Sequence, residues 1–220
     1  MRNKSDNTIN FPLFHGTSSY FVDSICKHGL GGFRDPEIFD AASSLYSLVF
    51  EHLDSLKKPP HEFQTSRIIY EKLLRDNVTA GGLNFRYGGV YLASSKQKAE
   101  EYALHNPIGS EYLSKTFKLL NLLKQENENL ADRLLCNYPE LKRTFLAEHK
   151  PCLITLRYLE IDNLKTENGQ LPHENIKRVE KFLNDYRGNP EMLHAFTQQL
   201  NFELIIPLPV DAERIEITFI

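Results

Sequence analysis

The stretch Leu13-Phe14-His15-Gly16-Thr17 decides much of the fold prediction for this chain of 220 residues. It is an apolar run that ends in a polar His-Gly-Thr turn, and residues 20–28 behind it have the spacing of an amphipathic helix. Gly29 follows these residues, and glycine is common just past the C-terminal end of a helix. The stretch therefore predicts a strand over 11–14, a turn, and a helix over 20–28.

Two later stretches repeat the pattern of a short strand with polar residues at its end. Gly88-Gly89-Val90-Tyr91-Leu92-Ala93 predicts a strand over 90–93, and a helix from Ser95 to His105 follows, with Ser94 or Ser95 as its N-cap. Near the C-terminus, Asn201-Phe202-Glu203-Leu204-Ile205-Ile206-Pro207 places one carboxylate at the mouth of a strand over 202–206. A bend at Pro207-Leu208-Pro209 and a last strand over 214–219 complete this region.

Two long segments between these stretches have helical spacing instead. Residues 38–56 and 68–74 are separated by Lys57-Lys58-Pro59-Pro60, which breaks a helix. Residues 110–149 carry apolar side chains at steps of three and four among Lys and Glu, which predicts two or three amphipathic helices. Further elements are a strand over 152–158 and helices over 175–183 and 191–200. The predicted fold class is α+β, in one domain over 1–220 with helical insertions at about 33–80 and 110–150.

Composition and charge exclude several classes of function. The formal net charge is −3, so no global basic field recruits nucleic acid. The three cysteines lie far apart, which favours a reducing compartment over a disulfide framework. The eight histidines have no metal-ligand spacing, and neither a Walker loop nor a GxGxxG fingerprint occurs. With no long apolar run and a polar N-terminus, we expect a cytoplasmic protein with no metal and no membrane partner.

In this order, the three strand-end stretches resemble the NAD-binding core of ADP-ribosyltransferases with a His-Tyr-Glu signature, the group of the poly(ADP-ribose) polymerases and diphtheria toxin. The resemblance implies a split, mixed or antiparallel β-sheet core. It also implies an enzyme that moves ADP-ribose from NAD, its co-substrate, to a macromolecular acceptor and releases nicotinamide. The resemblance covers roughly residues 11–32, 85–106, 151–160 and 200–220.

The resemblance assigns five residues to NAD binding. His15 would hydrogen-bond the adenosine ribose, and Gly16 would present backbone N–H and C=O groups to the nicotinamide carboxamide, which needs one donor and one acceptor. Thr17 stands where the family often has Ser or Thr. Tyr91 would stack on the positively charged nicotinamide ring, and Tyr102, eleven residues later, would stack on its other face.

The resemblance assigns catalysis to Glu203. Breaking the bond between nicotinamide and ribose develops oxocarbenium charge, which a carboxylate bonded to the ribose 2′-hydroxyl stabilises. The competing carboxylates Glu213 and Glu216 lie in the last predicted strand or its lead-in and fit less well. The chain departs from the polymerases at Ala99, where they usually have a serine that bonds the carboxamide. Asn201 stands where arginine-modifying members carry Glu and guanine-modifying members carry Gln, which leaves the acceptor open.

The acceptor is a protein or a nucleic acid, and its specificity is expected to lie in the insertions. A compact transferase of this kind suits a bacterial toxin or effector, with an antitoxin or immunity protein as partner. Two alternatives stay open: a catalytically inactive NAD- or ADP-ribose-binding module of the same fold, and an unrelated α+β interaction domain.

Overall fold

The computed structural model describes residues 7–32, 35–74, 78–80, 83–85, 89–166, 169–205 and 209–220. The chain divides into two compact units. Unit 1 is formed by Met1–Arg34, Gly88–Gly109 and His149–Ile220. Unit 2 is formed by Asp35–Tyr87 and Ser110–Glu148.

The elements of unit 1 are both strands and helices, and those of unit 2 are mainly helices. Unit 1 contains, in chain order, β1 Leu13–Ser18, α1 Ser19–His28, β4 Tyr91–Ala93, α4 Lys96–His105, β5 Pro151–Leu156, β6 Leu164–Thr166, α8 His173–Asp185, α9 Pro190–Thr197, β7 Asn201–Leu204 and β8 Ile215–Phe219. Unit 2 contains α2 Pro36–Ser55, α3 His61–Leu73, β2 Val78–Ala80, β3 Leu83–Phe85, α5 Glu111–Glu126, α6 Glu128–Cys136 and α7 Pro139–Leu146. The predicted α+β class is confirmed.

A six-stranded sheet organises unit 1, with the strand order β6-β7-β4-β1-β5-β8. Neighbouring strands are antiparallel throughout the described residues. β1 pairs with β5 along its whole length, from Leu13–Leu156 to Ser18–Pro151. With β4, in contrast, the described register consists of one pair, Phe14–Ala93. The ladder between the two central strands is therefore short.

The two faces of this sheet have different neighbours. Alternate residues of a strand point to opposite faces, so Leu13 and Gly16 lie on opposite sides of β1. Leu13 belongs to the apolar core, which includes Ile25 of α1 and Ile176 of α8. A Cβ on Gly16 would instead overlap the backbone of α4 at Ala99, so α4 covers the other face.

Unit 2 is held by buried helix contacts. α2 packs against α3, α5, α6 and α7. The Asp35 side chain accepts a hydrogen bond from Glu37 N at 3.0 Å and so caps the start of α2. The rings of Tyr46 and Tyr112 stack at 5.4 Å between centroids, and those of Phe63 and Tyr70 stack at 6.0 Å.

The predicted helices all have counterparts in the structure, as do the strands near 90–93 and 152–158. The range 110–149 contains three helices, and Ser95 is the N-cap of α4. The predicted insertions at 33–80 and 110–150 overlap the two segments of unit 2, while one domain over 1–220 stays a prediction.

The first strand was predicted in the wrong place. His15, Gly16 and Thr17 are part of β1 and do not form a turn, because pairing with β5 continues through them to Ser18. Glu203 lies inside β7 and not at its mouth. The strand β6 was not predicted, and neither were β2 and β3. Gly88 and the predicted strand end and bend at 206–208 lie outside the described residues.

Candidate functional site

Three neighbouring strands bring His15, Tyr91 and Glu203 together. Tyr91 is the register partner of Glu203 between β4 and β7, and such partners project from the same face of a sheet. The Nδ1 atom of His15, on β1, lies 2.8 Å from the backbone oxygen of Tyr91. Residues far apart in the sequence thus meet at the centre of the sheet.

The His15 ring bridges β1 and β4 where their ladder has ended. The Tyr91 carbonyl oxygen can only accept a hydrogen bond, so Nδ1–H of His15 is the donor. In the neutral ring, Nε2 is then left as an acceptor. Burial lowers the pKa of His15, and the bond to Tyr91 opposes that shift by a smaller amount. The folded protein therefore favours a neutral His15 that can accept a hydrogen bond from a hydroxyl group.

Glu203 is a buried carboxylate with a cation beside it. Its side chain is 6% exposed, and its Oε1 atom lies 3.2 Å from Nζ of Lys165, whose side chain is 33% exposed. Lys165 is the register partner of Glu203 on β6. On the β4 side, a Cβ on Gly89 would overlap the same Oε1 atom, so a side chain at position 89 would displace the carboxylate.

Gly16 has a packing role in addition to the binding role that was predicted for it. A Cβ at this position would overlap the carbonyl oxygen of Ala99 and lie 2.9 Å from the backbone nitrogen of Ala103. Only glycine lets α4 approach β1 so closely. Since Gly16, Tyr91 and Glu203 share one face, α4 lies on the face of the sheet that carries the candidate site.

The remaining predicted residues lie around this centre. Tyr91 is half-buried, and Tyr102 lies on α4 and is 37% exposed. Thr17 is buried in β1, two residues after His15. The structure thus places His15, Tyr91 and Glu203 on adjacent strands and Tyr102 on the helix that covers the face of Tyr91 and Glu203. By strand alternation the His15 side chain belongs to the opposite side of β1 from Gly16, and its link to Tyr91 is to the backbone oxygen.

Two neighbours of Glu203 were missed by sequence reasoning. Lys165 was not predicted, because β6 is short and no local periodicity of the sequence indicates that it pairs with β7. Gly89 belongs to a stretch that the analysis singled out, but its nearness to Glu203 depends on the approach of two strands. A further feature concerns Asn201, whose buried Oδ1 atom has no hydrogen-bond partner among the described residues.

Asn201 shares the face of β7 that carries Glu203, since the two residues are two positions apart. Ala93 is its register partner on β4. A buried amide oxygen without a donor is rare in folded proteins and is a candidate for binding a ligand donor. The site therefore offers a carboxylate and an amide on β7 and an imidazole acceptor on β1.

Other kinds of site find no support in the part of the chain that the structure describes. It contains no group of three His, Cys, Asp or Glu side chains that could hold a metal ion. None of its helices combines the length and the apolar character that crossing a membrane requires. Comparison of the chain with family models, with curated proteins and with solved structures gives no match.

Proposed function

We propose that this protein is an ADP-ribosyltransferase that moves ADP-ribose from NAD to a macromolecular acceptor and releases nicotinamide. The observation that carries the proposal is the meeting of His15, Tyr91 and Glu203 on β1, β4 and β7. A histidine, an aromatic ring and a carboxylate on adjacent strands are the groups that binding and cleaving a nicotinamide nucleoside require.

The residues fit NAD on two observations. The His15 ring is held with Nε2 as an acceptor, which suits a hydroxyl of the adenosine ribose. The buried Asn201 oxygen beside Glu203 calls for a donor that these residues do not supply. Gly16 and Thr17 of β1, with Tyr91 and Tyr102, would hold the nicotinamide end of the molecule.

In the proposed reaction, NAD supplies the ADP-ribosyl group with nicotinamide as the leaving group. Glu203 accepts a hydrogen bond from the ribose 2′-hydroxyl, and its negative charge stabilises the positive charge that develops on the ribose. The bond from ribose C1′ to the nicotinamide nitrogen breaks, and its electron pair leaves with nicotinamide. An oxygen or nitrogen of the acceptor then bonds to C1′ and loses its proton.

One observation favours a second candidate, an inactive module that binds NAD or ADP-ribose without turnover. The Glu203 carboxylate already has a cation at 3.2 Å, Nζ of Lys165. An ion pair that never opens would keep Glu203 from the ribose, and the fold would then only bind. The third reading, an unrelated interaction domain, predicts no binding of NAD at all.

The acceptor remains a protein or a nucleic acid, and we place its recognition in the helices of unit 2. We further propose a toxin or effector role, with an antitoxin or immunity protein as the natural partner. A protein that covers Glu203 would block transfer without any change in the fold.

The test uses the full chain, NAD labelled in the adenylate moiety, and a cell lysate. Glu203→Gln is compared with Glu213→Gln, since Glu213 is an exposed carboxylate of the same unit. We expect Glu203→Gln to lower nicotinamide release and label transfer by about 10²–10³-fold. A loss of this size is typical when one group that stabilises the charge of a transition state is removed. Glu213→Gln should match the wild type.

Digestion of separate aliquots with protease and nuclease identifies the acceptor class. Binding of NAD without nicotinamide release would support the inactive module. Failure of the wild type to bind NAD in calorimetry would overturn both readings and leave the interaction domain.

A further inference from the structure

Lys165, Glu203 and Tyr91 form one row across three strands. Lys165 on β6 pairs in register with Glu203 on β7, which pairs in register with Tyr91 on β4. Register partners project from the same face, so the ammonium group, the carboxylate and the phenol ring lie side by side. The candidate catalytic group therefore stands between an aromatic ring and a cation.

The contacts on the two sides of Glu203 converge on one of its oxygen atoms. Oε1 lies 3.2 Å from Nζ of Lys165 on the β6 side. On the β4 side, the same Oε1 occupies the space that a side chain at Gly89 would need. The carboxylate thus has an ionic contact on one side and lies against the backbone of a glycine on the other.

The burial of the pair is unequal. The Glu203 side chain is 6% exposed and that of Lys165 is 33% exposed. An ionised carboxylate that is buried without a partner is strongly disfavoured, and removing one member of a buried pair leaves such a charge. Lys165 supplies the positive charge while about a third of its side chain remains in contact with water.

We propose that Lys165 is the positioning residue for Glu203. Its ammonium group holds Oε1 and so fixes the place at which the carboxylate accepts the hydrogen bond of the ribose 2′-hydroxyl. This inference rests on the proposed transferase function, because it assigns Lys165 a part in that reaction. In this proposal the ion pair between Lys165 and Glu203 supports turnover. In the inactive module, the same ion pair would keep Glu203 from the ribose.

The test measures nicotinamide release and label transfer by Lys165→Met, Lys165→Arg and the wild type. Lys165→Met keeps the length of the side chain and removes its charge. We expect its kcat to fall by about 10–100-fold, as for a misplaced catalytic group, with the KM for NAD within about threefold of the wild type. Lys165→Arg should recover most of the lost kcat.

Lys177→Met is the matched control, because Lys177 is an ion-paired lysine of unit 1 whose side chain is 72% exposed. Its kinetic constants should equal those of the wild type. In a Glu203→Gln background, Lys165→Met should cause no further loss, because positioning acts only through the carboxylate. Circular dichroism checks that each variant folds. If Lys165→Met does not fold, Lys165→Arg and Gly89→Ala, which displaces the same oxygen, are compared with the wild type instead.

The outcomes separate the two proposals. A wild-type chain without Glu203-dependent nicotinamide release would overturn both of them. If the wild type is active and Lys165→Met keeps or exceeds its kcat, only the role of Lys165 is lost. A rise in KM at constant kcat would likewise overturn positioning, since it would make Lys165 a residue that binds NAD. Equal losses in Lys165→Arg and Lys165→Met, or additive loss with Glu203→Gln, would indicate a merely structural lysine.

Discussion

Two buried hydroxyl groups of unit 2 and two candidate site residues of unit 1 find their partners in different ways. In unit 2, the hydroxyl groups of Thr116 and Thr144 donate to carbonyl oxygens one turn earlier in their own helices, at 2.8 and 3.0 Å. In unit 1, the His15 ring donates to another strand at 2.8 Å, and the carboxylate of Glu203 has its cation on a third strand. The first arrangement is local, and the second depends on the whole sheet.

This difference distinguishes side chains that stabilise the fold from side chains that are candidates for a reaction. Burying a hydroxyl group that donates to its own helix costs little free energy, so such a group suits a core that serves only to stabilise the fold. A buried carboxylate and a partly buried imidazole need partners from several strands, and such groups are enriched where proteins use them. We therefore place the reaction in unit 1 and expect variants of unit 2 to change stability first.

The largest expected effect is a fall in the free energy of unfolding when a side chain in the core of unit 2 is truncated. Phe63 is buried between Phe50 and Tyr70, with ring centroids 5.4 and 6.0 Å away. Phe63→Ala should lower the free energy of unfolding by about 3–5 kcal/mol, because it removes a large buried ring and leaves a cavity. Urea denaturation followed by circular dichroism measures the loss.

The control is Leu74→Ala, at an exposed position just after the same helix, which should change the free energy of unfolding by less than about 0.5 kcal/mol. Under conditions where Phe63→Ala is folded, its affinity for NAD should equal that of the wild type. A large fall in that affinity would contradict the assignment of chemistry to unit 1.

The next effect distinguishes two glycines of unit 1. Gly16→Ala should lower the free energy of unfolding by about 1–3 kcal/mol, because the new Cβ meets the backbone of α4, which cannot rotate away. The nearest atoms to the new Cβ in Gly89→Ala belong to the flexible Glu203 side chain, so its free energy of unfolding should stay within about 1 kcal/mol of the wild type. Gly89→Ala should nevertheless lower nicotinamide release by about tenfold or more, since the carboxylate must move.

Thermal and urea denaturation, together with the nicotinamide-release assay, measure these two variants. Equal destabilisation by Gly89→Ala and Gly16→Ala would show that Gly89, too, is required for packing. Full activity in Gly89→Ala would show that the position of Glu203 Oε1 does not matter for turnover.

The smallest effect is a pH dependence of stability that arises from His15. Burial lowers the pKa of His15 in the folded state, so the unfolded chain binds a proton at higher pH than the folded chain does. The contribution to stability is complete above the ordinary histidine pKa of about 6.5 and is lost as the pH falls below it. Because one proton is involved, the free energy of unfolding can change by at most about 1.4 kcal/mol per pH unit.

Urea denaturation at a series of pH values between about 7.5 and 5 measures this slope, and His15→Gln should reduce it. His173→Gln, at an exposed position of unit 1, should keep the wild-type slope. An unchanged slope in His15→Gln would mean that His15 takes up its proton equally in both states.

Local sequence patterns predicted the helices because their signals are local. The three- and four-residue spacing of apolar side chains, Asp35 before α2 and the Pro59-Pro60 break are all read within one or two turns. The positions of the strands were harder to predict from the sequence. β1 begins at Leu13 and runs through the polar residues His15 and Thr17, because pairing with β5, and not alternation, extends it.

The candidate site was predicted in part. His15, Tyr91 and Glu203 were chosen from their stretches, and the structure places them on adjacent strands. Lys165 could not be chosen in this way, since Leu164-Lys165-Thr166 has no feature that distinguishes it from an ordinary short polar strand. Its nearness to Glu203 arises from the register of β6 and β7.

The sequence by itself determined the α+β class, most helix boundaries to within a few residues and the three residues on which the proposed function depends. Capping, periodicity and helix breaking are short-range effects, so a single stretch of chain contains them. Only the tertiary structure decided the strand order, the close approach of α4 to Gly16 and the pairing of Lys165 with Glu203. These contacts join residues that are distant in the chain, and their energies depend on register and burial, which no local pattern records.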